Sequence, residues 1–218
     1  MIFNSQLKMT SKNKGILFSI LFIGMLTISW TAKNNKSSDY VTFEKDSIAS
    51  AKAFLGVYEV LMSPRCLNCH PKGDVPLQGD DSHLHTMLPK RGTDGKGIYA
   101  MKCTNCHQKE NSPGLHAPPG NSVWHLPPAD MKMVFEGKTP YELATQMLDP
   151  KRNGNKTTEE LIEHVSADSL VLWGWKPGEG RSLPPMAHDK FAEMFKTWIE
   201  KGSFAPDRNL PAKMKPSK

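Results

Sequence analysis

All four cysteines of the chain fall in two copies of one pattern, CLNCH at residues 66–70 and CTNCH at 103–107. This repeat constrains the fold more than any other feature. Two side chains three positions apart on a helical turn share a face, so both thiols of a pair can bond to one flat group. The histidine that follows is then aimed at the centre of that group. Cys-x-x-Cys-His is the spacing that attaches haem c through two thioethers, with the histidine as an iron ligand. The sequence therefore predicts two covalently bound haem c groups, one on Cys66 and Cys69 with His70, the other on Cys103 and Cys106 with His107.

Other chemistries also use paired cysteines. Four-cysteine zinc sites commonly leave about 15–20 residues between pairs, whereas thirty-three separate Cys69 from Cys103. Zinc also has no need of a histidine after each pair. A thioredoxin-like redox motif needs only one pair, in an α/β context that this sequence lacks. Disulfides suit an exported protein but leave both histidines unexplained.

A bound apolar group also answers a difficulty of composition. Aromatic residues make up 8% of the 218, and seventeen prolines and sixteen glycines favour loops. Side chains alone predict a thin core for this length. Two porphyrins would complete it, and the haem-free chain is expected to fold poorly.

Residues 1–32 read as a secretory signal or a retained N-terminal membrane anchor. Lys8, Lys12 and Lys14 precede an apolar run over residues 15–30, and no acidic residue occurs before Asp39. Either reading exports the body, to the periplasm or to the outer side of the inner membrane. Three of the 28 basic residues and none of the 22 acidic ones lie in this leader, so a formal net charge of +6 becomes +3 without it. The remaining charges are dispersed rather than clustered, which argues against nucleic acid as a partner.

Residues 33–45 read as a linker, 46–206 as the haem-carrying domain and 207–218 as a polar tail. The first helix is predicted from about Asp46 to Met62, on the spacing of Ile48, Ala51, Leu55, Tyr58 and Met62. Thr139-Pro140-Tyr141-Glu142 and Thr157-Thr158-Glu159-Glu160 each read as a capping box that starts a helix. A last helix is predicted from about Asp189 to Lys201, with Phe191, Phe195, Trp198 and Ile199 on one face and Gly202 as its stop. Residues 71–97 show no periodicity and read as an ordered loop. Strand signals are scarce, so the fold class is mostly α.

Each iron would have a second axial position. Methionine there raises the potential, histidine lowers it, and an open position permits catalysis. Candidates for the distal ligand are His85 and Met87 between the motifs, His125 and Met133 after the second, and Met186 ahead of the last helix. Pro184-Pro185-Met186 before a C-terminal helix resembles the methionine loop of class I cytochromes c. A copper site from His83, His85 and Met87 is a further alternative.

Taken together, the pentapeptides and the helix before them resemble cytochrome c. A longer set of segments is similar to a family of small exported dihaem cytochromes often labelled as a subunit of isoquinoline 1-oxidoreductase, a molybdenum hydroxylase. These include "GDDSHLHTM", "RGTDGKGIYAMKCTNCHQ", "PPGNSVWHLPPADMKMVFEG" and "EHVSADSLVLWGWKPGEGR", within roughly residues 54–206. The resemblance implies cytochrome c-like helices with long ordered loops wrapped around two covalent haems. It also implies that His85, Met87, His125, Met133 and His164 belong to the family pattern. The expected function is transfer of single electrons from a dehydrogenase or molybdenum hydroxylase to a respiratory acceptor. The alternative is a peroxidase-like haem enzyme with one open iron. Trp173 and Trp175 are expected to pack against a porphyrin or to form a docking surface, and Arg181 to pair with a haem propionate.

Overall fold

The computed structural model describes residues 39–213. The chain divides into two compact units, residues 1–45 and 46–218, and the account below concerns the second. The leader over residues 1–32 and the last five residues lie outside the described part. No helix among the described residues is long and apolar enough to cross a membrane.

Helix dominates over strand. The described part of helix α1 covers residues 39–61, so residues 39–45 of the expected linker are helical. Ser63 and Pro64 break it, and one further turn, α2 (Pro64–Leu67), carries the start of the first pentapeptide. Helix α3 (Pro140–Leu148) and α4 (Thr158–Ala167) begin at the two predicted capping boxes. In each, the threonine hydroxyl accepts the N–H of the third residue and that glutamate accepts the N–H of the threonine. A short helix, α5 (Ser169–Trp173), was not predicted. The last helix, α6 (His188–Glu200), starts one residue early and ends one early.

Among the described residues, strand is confined to two antiparallel pairs of two-residue strands. β1 (Leu77–Gln78) pairs with β2 (His83–Leu84), and β3 (Gly97–Ile98) with β4 (Met101–Lys102). The first pair lies in the segment read as an irregular loop.

The core forms where α1 meets α6. Phe54 packs on Trp198 with ring centroids 4.5 Å apart, and Phe195 sits edge-on to Trp198 at 5.3 Å. Buried Ser50 donates its hydroxyl to the Trp198 carbonyl (2.8 Å) and accepts the Phe204 N–H (2.9 Å), so this polar group in the seam is satisfied. Leu143 and Met147 of α3 and Leu161 and Val165 of α4 complete the cluster. Among the described residues, no fully buried side chain from 78 to 132 joins it. Leu126 is buried apart from it.

The compact body does not stop at residue 206. Arg208 lies over the Tyr141 ring at 4.3 Å, the Lys213 N–H donates to the Tyr58 hydroxyl at 2.8 Å, and Lys213 pairs with Glu59. The segment expected to be a polar tail is thus tied back to α1 and α3 through residue 213.

Candidate functional site

Both pentapeptides fold as single helical turns. In the first, Cys69 N–H donates to Cys66 O (3.2 Å) and His70 N–H to Leu67 O (3.1 Å). In the second, a 3₁₀ turn over Cys103–Asn105, Cys106 N–H donates to Cys103 O (3.2 Å) and His107 N–H to the same carbonyl (2.9 Å). The β3–β4 hairpin delivers the second turn, and Cys103 N–H is held by Lys96 O at 3.1 Å. All four cysteines are free thiols. Burial pushes the Cys66 thiol up to about 12 and Cys69 to about 11, so both are held protonated.

The two histidines have matching surroundings built from unrelated segments. His70 donates its Nδ1–H to the Met133 carbonyl at 2.7 Å and stacks on Phe135 (centroids 3.9 Å, planes 11° apart). His107 donates its Nδ1–H to the Pro119 carbonyl at 2.7 Å and stacks on Trp124 (4.5 Å, 10°). A carbonyl only accepts, so each Nδ1 carries the proton and each Nε2 keeps its lone pair. Burial lowers the pKa of both, that of His70 to about 4, which keeps the rings neutral. A neutral imidazole oriented through its second nitrogen is the form that ligates a metal.

A cavity of about 430 Å³, lined mostly by apolar surface, joins the motifs. Cys103, Cys106 and His107 line it together with Cys69 of the first motif, while Cys66 and His70 lie outside its lining. Its size falls within the range of about 300–1,000 Å³ usual for small-molecule sites. Buried side-chain atoms without a hydrogen-bond partner, among the described residues, all come from residues 63–91: Ser63 Oγ, Arg65 Nε, Asn68 Oδ1, Ser82 Oγ and Arg91 Nε. Arg65 and Asn68 line the cavity. The Arg65 side chain is 2% exposed and uses one terminal nitrogen on Asp80 (2.5 Å), which leaves Nε unsatisfied.

The candidate distal residues separate clearly. His85, Met87 and His125 all line the cavity. Met133 does not offer its sulfur there: Gln146 Nε2 contacts the thioether at 3.5 Å, and the residue serves His70 through its carbonyl. Met186 packs against the α1–α6 core and accepts the Trp175 indole N–H on its carbonyl at 2.8 Å. His83 pairs with Asp81 at 2.5 Å, and His164 with Asp168 at 3.3 Å. The tandem indoles part company. Trp173 sits edge-on to Trp124 at 5.0 Å and lines the cavity, whereas Trp175 contacts His188 and Phe191. Arg181 spends its terminal nitrogens on the carbonyls of Pro177, His116 and Ala117, and so ties two loops together at the cavity edge.

Among the described residues, no three His, Cys, Asp or Glu side chains converge as ligands for a bare ion. His83 is turned to Asp81.

Sequence reasoning missed Phe135, Trp124 and the carbonyls of Met133 and Pro119, which set the orientation of the two histidines. Compared with protein families, curated proteins and solved structures, the chain matches none.

Proposed function

We propose that the chain is an exported dihaem c-type cytochrome that carries single electrons from a dehydrogenase or molybdenum hydroxylase to a respiratory acceptor. The observation that carries this reading is the pair of Nδ1–H bonds, each 2.7 Å to a backbone carbonyl, behind the histidine of each pentapeptide. Disulfide and thioredoxin chemistry require no such matched pair. The residues fit the group most fully at the second turn, where Cys103, Cys106 and the neutral imidazole of His107 line one apolar cavity with Arg65 at its wall.

Haem bound at these turns would supply a one-electron iron couple. The protein's part is to hold and tune. Cys66 with Cys69, and Cys103 with Cys106, would fix each ring covalently. The Met133 and Pro119 carbonyls make their imidazoles better donors. Phe135 and Trp124 hold those imidazoles by stacking. Cys69 and Cys103 line one cavity, which supports two groups close enough to exchange electrons and a role as a short relay.

The test is intact mass and haem staining after denaturing electrophoresis, on material matured where haem is attached. The native chain is expected to carry two covalent haems and Cys103→Ala to lose stable attachment at one. An unmodified native chain would end the reading. Carbon monoxide binding separates it from a peroxidase-like enzyme, whose open iron would bind the gas and turn over peroxide.

A further inference from the structure

The cavity brings together two imidazoles from different segments. His107 belongs to the second pentapeptide and His85 follows strand β2, twenty-two positions earlier. Both line the cavity, and their ring centroids are 6.3 Å apart with the planes at 70°. Two imidazoles on opposite faces of one metal ion have centroids about 6 Å apart, from a metal–nitrogen bond of about 2 Å and about 1.1 Å from nitrogen to ring centre on each side.

We propose that His85 is the second axial ligand of the haem attached at Cys103 and Cys106, opposite His107. The inference rests on the haem reading above and specifies its chemistry. The backbone of His85 is fixed, since its N–H donates to Pro76 O (3.0 Å) and its carbonyl accepts Leu88 N–H (2.8 Å). Its ring is not. The ring's one hydrogen bond comes from Met87 N–H to Nδ1 at 3.3 Å, longer than the usual range, so no strong partner locks the tautomer. His125 also lines the cavity and donates Nδ1–H to the Leu126 carbonyl at 2.8 Å, so position rather than hydrogen bonding separates it from His85. Met87, two residues on, is 65% exposed. Of the candidates named from sequence, His85 alone stands in a ring contact with a pentapeptide histidine.

Histidine rather than methionine at that position lowers the potential. The second haem is then the low-potential one if the first is ligated by methionine, and both irons are low if it too takes a histidine. Steeply crossed imidazole planes also give a strongly anisotropic ferric signal.

The test uses the full chain matured with haem, as wild type and His85→Ala, with mass, carbon monoxide titration of the reduced protein and low-temperature EPR. The expected result is two haems in both. The alanine variant gains one CO-binding iron per chain, loses one low-spin signal, and regains a low-spin signal when free imidazole is added. Two haems with an unchanged CO count would overturn the His85 assignment alone. An unmodified chain mass would overturn the haem reading and the assignment with it. Should the alanine variant shed a haem, His85→Met decides. It is expected to keep both haems and raise the midpoint potential of one iron, and two unchanged potentials would overturn the assignment.

Discussion

Asp168 does two jobs with one carboxylate. Oδ1 accepts the Leu170 and Val171 N–H groups and caps α5, while Oδ2 faces His164 at 3.3 Å. The hydrogen bond from His164 is the main cause that pushes its pKa down to about 2, from an ordinary value of 3.8. A carboxyl whose folded pKa lies below its unfolded one contributes fully above the unfolded value and loses that contribution as pH falls through the folded one. Asn caps as well as Asp, so Asp168→Asn isolates the charge. We expect the two proteins to differ in urea midpoint at pH 7, with the gap closing between about pH 4 and pH 2. A gap of equal size at pH 7 and pH 2 would contradict this. At the same scale, the turns of the two pentapeptides were legible because adjacency in sequence fixes adjacency on a turn. The partners that orient His70 and His107 were not. Backbone carbonyls of residues 133 and 119 leave no side-chain signature, and nothing local announces that those segments return to the histidines.

Elements with chemical start signals were the readable ones. Thr139 and Thr157 each act within four residues, so their boxes specify α3 and α4 without tertiary help. Helix α5 escaped because five residues show no periodicity and its cap, Asp168, also ends α4. The helical residues of α1 before Asp46 escaped for a different reason: Tyr40, Val41 and Phe43 are exposed and do not extend the buried stripe that marks the rest of the helix. The loops between these helices are shaped by backbone demands. Gly95 holds φ at +76°, accepts the Leu126 N–H at 2.9 Å, and would place a Cβ 1.9 Å from the Leu126 carbonyl oxygen. Gly137 has nearly the same φ, +75°, with nothing within 4 Å. Gly137→Ala should therefore cost only the left-handed strain, about 1–2 kcal/mol. Gly95→Ala adds a backbone collision that no rotamer relieves. Thermal melts are expected to rank Gly95→Ala clearly below Gly137→Ala, and equal losses would refute the close approach.

At the scale of the whole molecule, the apolar interior is lopsided. Helices α1, α3, α4 and α6 share one aromatic and aliphatic cluster, whereas residues 78–132 add no fully buried side chain to it. The thin core inferred from composition is a fair average of a well-packed part and a poorly packed one, and composition has no means of showing that division. The expectation that the whole haem-free chain folds poorly narrows accordingly. Hydrogen exchange on haem-free chain should find slow amides in α1 and α6 and fast ones across 78–132, with attachment slowing only the latter. Uniform exchange in both would contradict the division. The seam itself joins distant parts of the chain, for Ser50 bonds the carbonyl of Trp198 across 148 positions. A polypeptide delivered N-terminus first therefore presents both pentapeptides to its surroundings before the partner helix has arrived. On the haem reading proposed above, the pace of delivery, rather than any gate in the finished fold, sets how long those four sulfur atoms stay within reach.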